Sequence, residues 1–218
     1  MLKAFKDERY IKIDGRPILY VFKSEDLPIE YINWFHLWAK ESGFKGLYLI
    51  GNTWGDKAFT FYKALGFQAI VRNNVLDLLQ THYSRMPKYK MFVLRIYRRS
   101  LEYIKKIPHG IADYSALVHN AVTQECKSEG VIPQIFPNWD HSPRSGRNAS
   151  YIYYNAEPNA FYEMACDALE AIKDKPSEEQ IIIIKSWNEW GEGNYMEPDL
   201  KYGHGYIKAL RRAVDKYK

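Results

Sequence analysis

Short apolar runs alternate with helical patterns along most of the chain, and this alternation is what most restricts its fold. The run Pro17 to Phe22 is typical of a buried strand, and an amphipathic pattern from about Ile29 to Ser42 predicts a helix after it. Two further strands are predicted at Phe44 to Ile50 and Phe67 to Val71, on either side of a helix from Lys57 to Leu65. Continuous apolar strands separated by helices are typical of a parallel sheet that helices cover.

The second half of the chain continues the alternation with less clear boundaries. The stretch Lys90 to Lys106 has helical periodicity, although its apolar start is also compatible with a strand. The remaining predicted elements are one or two helical turns at Val75 to Gln80, a helix from a cap at Asp113 to about Glu125, an irregular strand at Val131 to Phe136, a helix at Pro158 to Lys173, a strand at Ile181 to Trp187 and a helix at Gly205 to Lys216.

Two architectures fit this order, an open doubly wound sheet or a (β/α)8 barrel. No glycine-rich phosphate loop follows any predicted strand, whereas polar and aromatic residues follow at least three of them. Barrel enzymes place their chemistry at the carboxyl ends of strands. Five strands cannot close an eight-stranded barrel, so a barrel of this kind would be partial, with about five C-terminal β/α units.

The segment Trp187 to Gly193 (WNEWGEG) follows the last predicted strand and carries two glutamates. Glu189 and Glu192 are three residues apart, so both side chains can face one pocket if the loop turns helically. Glycoside chemistry uses one protonated and one ionised carboxyl group. The indoles of Trp187 and Trp190 would keep water from one carboxyl and favour its protonated form. The alternative is an aromatic loop whose glutamates meet Lys or Arg in surface pairs.

Two other clusters follow predicted strands. In the first, Asp140 is a candidate to bind sugar hydroxyls or to orient a catalytic glutamate, with Trp139 as a stacking face. Alternatively, Asp140 forms a turn that closes the strand. The histidine at 141 is interpreted as a surface loop residue, within an unpatterned segment, 137–155, long enough to predict a functional loop. In the second, Asn52 and Trp54 suit hydroxyl recognition and stacking, and a plain turn between strand and helix explains the segment equally well.

The amino-acid composition limits the classes of molecule that this chain is expected to bind. Aromatic residues make up 16% of the chain, which favours a carbohydrate site because rings cover the apolar faces of sugars, although a Tyr-rich core would give the same composition. The formal charge of +5 is mild and its basic clusters, such as Arg95 to Arg99, are short, so nucleic acid is not an expected partner. Anionic sugar carriers or a membrane surface stay as weak candidate partners.

The cysteines and the N-terminal residues indicate which cellular compartment is expected. Cys126 and Cys166 are expected to be buried free thiols, and no His, Cys or Asp set has metal-ligand spacing, so no metal or cofactor is predicted. The first residues contain no apolar signal core, and no apolar run is long enough to form a transmembrane segment. The expectation is a reduced, cytoplasmic setting.

Taken in order, the three clusters resemble a bacterial family, the WbsX-type proteins of lipopolysaccharide and O-antigen biosynthesis, which are similar to glycoside hydrolase family 99. The resemblance covers nearly the whole chain. It rests on the segments Tyr10 to Pro17 (YIKIDGRP), Pro137 to Asp140 (PNWD) with Arg144, Trp187 to Asp199 (WNEWGEGNYMEPD), and Tyr202-Gly203.

This resemblance implies a (β/α)8 barrel of the TIM-barrel type that acts on glycosides. Family 99 enzymes are retaining endo-acting α-mannosidases, and their E-x-x-E pair corresponds to Glu189 and Glu192. By that analogy Glu189 is the base that assists the 2-hydroxyl, Glu192 is the general acid/base at the glycosidic oxygen, and the intermediate is a sugar epoxide. The candidate substrate-binding residues are Trp187, Asn188, Trp190, Tyr195, Glu197, Asn138, Trp139, Asp140, Arg144, Asn52 and Trp54.

Three activities remain open at this point: glycoside hydrolysis on an oligosaccharide or polysaccharide, glycosyl transfer from an activated sugar donor, and sugar binding without catalysis. WbsX-type proteins are commonly labelled glycosyltransferases. The family also begins with a Tyr-Leu-Pro-Gln-Phe-His type strand and a Gly-Phe-x-Glu-Trp type segment, which this sequence lacks. We therefore expect one barrel domain over residues 1–218 without its first three β/α units, and either a further chain that supplies those strands or altered packing.

Overall fold

The computed structural model describes residues 2–53, 57–72, 78, 87–105, 111–149 and 151–218. The helices within them are α1 (Leu2–Phe5), α2 (Ile29–Glu41), α3 (Phe59–Ala64), α4 (Lys88–Lys105), α5 (Tyr114–Leu117), α6 (Ser142–Ser145), α7 (Pro158–Ile172) and α8 (Gly205–Lys216). The strands are β1 (Lys12–Ile13), β2 (Arg16–Val21), β3 (Tyr48–Thr53), β4 (Ala69–Arg72), β5 (Ile111–Asp113), β6 (Val131–Ile132), β7 (Gln134–Ile135), β8 (Ile152–Tyr154), β9 (Ile183–Ile184), β10 (Asn188–Glu189) and β11 (Asn194–Tyr195).

The chain divides into two compact units. The first contains residues 1–73, 124–133 and 172–181, and the second contains residues 74–123, 134–171 and 182–218. In the described residues, no helix combines the length and the apolar content that crossing a bilayer requires.

The first unit is built on a sheet with the strand order β1-β2-β3-β4-β6. Strands β1 and β2 form an antiparallel hairpin, and the pairs β2–β3, β3–β4 and β4–β6 are parallel. Helices α2 and α3 connect consecutive parallel strands, as the alternation in the sequence predicts. Every residue of β3 is buried, which explains why its apolar run shows no period of two.

The second unit contains two short parallel pairs, β5–β8 and β7–β9, and the antiparallel hairpin β10–β11. Its core packs the apolar faces of α7 and α8 around Phe136, Phe161 and Tyr206, which are fully buried. The cysteines at 126 and 166, one in each unit, are both buried, as predicted.

Several predicted elements are confirmed within one or two residues, namely β2, α2, α4, α7 and α8. The predicted strand Val131 to Phe136 is divided at Pro133, so that β6 pairs with β4 and β7 pairs with β9. Proline has no N–H to donate to a ladder, which explains the division. Asp113 does cap a helix, since its carboxylate accepts from Ser115 N at 3.0 Å, but α5 ends at Leu117.

The predictions missed other elements. The segment 137–155, predicted to lack regular structure, contains α6 and β8. The strand predicted at Ile181 to Trp187 is reduced to β9, and β5 has no counterpart in the prediction. Strands of two or three residues are too short to show a periodic pattern. The short helix predicted at Val75 to Gln80 lies, apart from Leu78, outside the described residues.

Candidate active site

The two glutamates lie on a tight connection in the second unit. Glu189 ends β10, a 3-10 turn spans Trp190–Glu192, and β11 returns antiparallel with Asn194 opposite Glu189. Gly193 has a φ of 52° in the left-handed region, where a Cβ would lie 2.9 Å from the Cβ and backbone oxygen of Asp140. Only glycine fits this close approach, and the helical turn on which a shared pocket for the two glutamates depended is present as a 3-10 turn.

One guanidinium group contacts both carboxylates. Arg144 Nη1 donates to Glu192 Oε1 at 2.7 Å, and Arg144 Nη2 donates to Glu189 Oε1 at 2.8 Å. Arg144 lies on α6. This helix begins with an Asx turn, in which Asp140 Oδ1 accepts a hydrogen bond from Ser142 N at 2.8 Å. The resemblance named Arg144 as a substrate-binding residue, and the structure brings it to the glutamate pair.

The two carboxylates have different surroundings. The Glu192 side chain is 16% exposed and the Glu189 side chain is 41% exposed. Glu192 is also tied through its backbone, because its carbonyl oxygen accepts from Asp140 N at 2.9 Å. His141 Nε2 lies 3.8 Å from Glu192 Oε1. Glu192 is therefore the more enclosed member of the pair, and Glu189 the more accessible one.

Lys185 is a cation within electrostatic range of both glutamates, and the sequence did not indicate it. Its Nζ lies 4.2 Å from the ring centroid of Trp139. Burial lowers the pKa of Lys185, while the negative charges of Glu192 and Glu189 act in the opposite direction. Its signal in the sequence is weak, a lysine at the end of an apolar strand just before WNEWGEG, and sequence reasoning also treated His141 as a surface residue.

Aromatic side chains flank the turn. Trp190 and Tyr195 stack with ring centroids 3.8 Å apart and planes 15° from parallel. Trp190 Nε1 donates to Glu197 Oε2 at 2.7 Å, which holds the indole in place. Trp187 is 54% exposed, and Asn188 beside it is also exposed. The indoles of Trp187 and Trp190 are therefore exposed to solvent. Both carboxylates contact the guanidinium of Arg144.

Asn138 of the PNWD segment holds the loop in place through two hydrogen bonds. Asn138 Oδ1 accepts from Tyr195 N at 2.9 Å, and its backbone oxygen accepts from the side-chain amide of Asn194, which is fully buried. Trp139 is only 5% exposed and packs against Phe136, so the predicted stacking face at Trp139 is corrected to a core position. A tryptophan after a strand can face core or solvent, and its neighbours in space decide which.

The third predicted cluster belongs to the first unit. Asn52 is 1% exposed, its Nδ2 donates to Phe22 O at 3.2 Å, and its backbone oxygen accepts from Ser24 Oγ at 2.6 Å. These bonds tie the ends of β2 and β3 together, so the structure gives Asn52 a packing role in place of the predicted exposed sugar contact. Trp54 lies outside the described residues.

Comparison with known proteins gives relatives and structural neighbours. Two proteins from strains of Xanthomonas campestris pv. campestris, each called uncharacterized protein WxcX, are 22% identical to this chain over 216 residues. These alignments cover 97% of this chain, which spans 29% of the length of those relatives.

Among solved structures, the chain is similar to the GH99 endo-alpha-mannosidase from Bacteroides thetaiotaomicron, alone and in complex with BIS-TRIS-propane. The TM-scores are 0.50 and 0.51 at 16% and 17% identity, over 94% of this chain and 55% and 58% of the mannosidase chains. At this identity the likeness shows the fold alone, and the resemblance to family 99 is confirmed at that level. The α/β class is confirmed with it, while closure of a (β/α)8 barrel stays a prediction.

The sequence matches the family described as Glycosyltransferase WbsX over residues 1–210. That match takes in nearly all of the 218 residues, including both clusters that meet around Arg144. The chain therefore belongs to the WbsX glycosyltransferase family.

Proposed function

We propose that this chain is a carbohydrate-active enzyme domain of bacterial surface polysaccharide metabolism that acts on an α-mannoside-like glycosidic bond through Glu189 and Glu192. The observation that carries the proposal is the convergence of both carboxylates on the Arg144 guanidinium. A pair of carboxyl groups held on one turn beside an exposed indole is an arrangement that glycoside cleavage can use.

The proposed chemistry gives each glutamate one proton to move. Glu189 takes the proton of the substrate 2-hydroxyl while that oxygen attacks the anomeric carbon, and Glu192 protonates the departing glycosidic oxygen. The products of this step are the released alcohol and a sugar epoxide. Water then opens the epoxide at the anomeric carbon, as Glu192 takes a proton from the water and Glu189 returns one to the 2-oxygen.

The different burial of the two side chains supports this assignment. Glu192 is the more enclosed carboxyl, and its backbone oxygen accepts from Asp140 N, so its side chain is held in place for proton transfer at the glycosidic oxygen. Glu189 is the accessible carboxyl, which suits contact with a substrate hydroxyl. Arg144 holds both groups in a defined orientation, and such positioning lowers the entropic part of a barrier.

The alternative is that Glu189 and Glu192 form surface ion pairs with Arg144 and have no catalytic role. Ion pairs between exposed residues contribute little to stability, whereas this one is built from a largely buried glutamate, a guanidinium and a turn that requires glycine. This combination favours a functional site over a chance ion pair on the surface.

Transfer from an activated sugar donor is the second candidate, and the description of the family favours it. The third candidate is a sugar-binding module without catalysis, which the exposed Trp187 and the stacked pair of Trp190 and Tyr195 favour. All three share a carbohydrate ligand and differ in what happens to the glycosidic bond.

The resemblance also supports a proposal on architecture, namely that residues 1–218 form one domain with about five β/α units of a (β/α)8 barrel. Either another chain supplies further strands or the units present pack differently. The parallel pairing of β2, β3, β4 and β6 supports it. Sedimentation velocity of the chain, alone and after copurification from its native host, tests this proposal. A single monomeric species under both conditions would contradict the second chain.

The catalytic proposal is tested by chromatography of the sugars released from α-mannoside oligomers. We expect turnover by the wild type, a loss of at least about 1000-fold in Glu192→Gln and a comparable loss in Glu189→Gln. Glu163→Gln, on α7 and half exposed, is the matched control and should keep full turnover. Unchanged turnover in Glu192→Gln would contradict its role, and turnover only with a nucleotide-sugar donor would identify transfer.

A further inference from the structure

Helix α4 carries a continuous apolar stripe that faces solvent. Its members follow the spacing i, i+3, i+4, i+7, i+8, which places them on one face of a helix. They are each between 55% and 67% exposed: Tyr89, Phe92, Val93, Ile96 and Tyr97. An amphipathic helix in a globular protein normally turns such a stripe toward the core, so this face is built for a partner.

The charge of the helix restricts the partner. Within Lys88–Lys105 the sequence has six basic residues and one acidic residue, a formal charge of +5. The whole chain has 31 basic and 26 acidic residues, also +5, so the rest of the chain carries 25 of each and is neutral. At 100° per residue, Lys88 and Arg99 lie at one margin of the stripe and Lys90 at the other, and all three are exposed.

Helix α2 shows that apolar exposure alone does not explain this pattern. It also exposes Tyr31, Trp34 and Leu37. Its charged residues, however, are two glutamates and one lysine, for a formal charge of −1. The combination of an exposed apolar stripe with basic margins is therefore a feature of α4 that α2 does not share.

We propose that α4 binds the surface of an anionic lipid bilayer. In this arrangement the helix lies in the plane of the interface, with Phe92 and Ile96 toward the acyl chains and Lys88, Lys90 and Arg99 at the headgroups. The tyrosines at 89 and 97 have apolar rings with polar tips, which suit the headgroup boundary. The formal charge of +5 on the helix matches a negatively charged surface better than a neutral one.

The test is cosedimentation of the 218-residue chain with vesicles of equal parts phosphatidylglycerol and phosphatidylcholine, compared with phosphatidylcholine alone. We expect binding to the anionic vesicles, weakening as salt is raised, and little binding to the neutral ones. Phe92→Ser with Ile96→Ser removes the centre of the stripe and should lower partition at least about tenfold. Lys88→Gln, Lys90→Gln and Arg99→Gln together should lower it about 100-fold.

Leu37→Ser is the matched control, because Leu37 is an apolar residue of α2 that is 53% exposed, and it should bind like the wild type. All substituted side chains are exposed, and circular dichroism checks that each variant keeps its helix content. The proposal is overturned if the wild type fails to bind anionic vesicles or if both α4 variants bind as it does. It is also overturned if the α4 variants change the sedimentation coefficient of the chain and leave vesicle binding intact, because a protein would then cover this face.

Discussion

Arg144 Nη1 lies 2.7 Å from Glu192 Oε1, and this hydrogen bond joins residues 48 positions apart in the chain. It connects α6, in the long loop after β7, to the turn between β10 and β11. The second nitrogen of the same guanidinium reaches Glu189. The orientation of both carboxyl groups therefore depends on a residue outside the segment that carries them.

Substitutions of Arg144 should show whether activity depends on its positive charge or on its ability to bind both carboxylates at once. Lysine keeps the positive charge but offers no planar fork, so Arg144→Lys should bind only one carboxylate at a time. We expect a fall of about 100-fold in kcat/KM on the sugar substrate with little change in stability, and a similar or larger fall in Arg144→Gln. Arg211→Lys is the control, because Arg211 makes a surface ion pair with Asp215 through its Nε, and this variant should leave activity unchanged. Full activity in Arg144→Lys would contradict the shared contact as a positioning device.

Gly193 and Gly203 provide a comparison for testing the turn. Both have a φ of 52°, but a Cβ on Gly193 would meet Asp140 at 2.9 Å, whereas a Cβ on Gly203 would meet nothing within 4 Å. Both alanine variants should lose about 1 kcal/mol of unfolding free energy to backbone strain. Gly193→Ala should lose a further 1–3 kcal/mol, roughly, and most of the activity, since the backbone of Asp140 must move. Equal losses in chemical denaturation would show that the close approach is unimportant.

Trp187 is expected to contribute to binding and not to folding. Its indole is 54% exposed beside the glutamate pair, so Trp187→Ala should raise the KM for the sugar roughly tenfold while the melting temperature stays nearly constant. Trp34 on α2 is 59% exposed and provides a control of the same residue type in the other unit. Trp34→Ala should change neither quantity. A KM for Trp187→Ala equal to that of the wild type would remove this indole from the site.

His36 should make the first unit sensitive to acid. Its Nδ1 accepts from Leu47 N at 3.3 Å, which requires the neutral ring. Burial lowers the pKa of His36, a backbone hydrogen bond with Gly66 acts in the opposite direction, and the charges of Lys40 and Arg16 lower it further. The unfolded chain then binds more protons than the folded one, so the stabilisation is complete above pH 6.5 and is lost as the pH falls below it. His36→Gln keeps an acceptor without titrating, and its unfolding free energy should fall less between pH 7 and pH 5. Parallel pH profiles for the two proteins would contradict this assignment.

Local sequence was enough to predict the elements that depend on it. The helix of Ile29–Glu41 has an apolar stripe, and the helix Pro158–Ile172 begins with a proline that suits a first turn. The glutamate spacing of WNEWGEG allowed both side chains to face one pocket if the loop turned helically, and a 3-10 turn is found there. The two-residue strands were beyond reach, because β7 and β9 exist only through their pairing with each other.

Some features of the candidate site were likewise predictable from local sequence, and others depended on the tertiary structure. Sequence by itself determined that Glu189 and Glu192 share one turn, since their spacing and the glycine after them are properties of a few adjacent residues. Only the tertiary structure decided that Arg144 lies between them, that Lys185 is within electrostatic range of them and that Trp139 is in the core. The physical reason is that these contacts join residues that lie far apart in the chain or depend on which neighbours surround a side chain, and packing alone settles both.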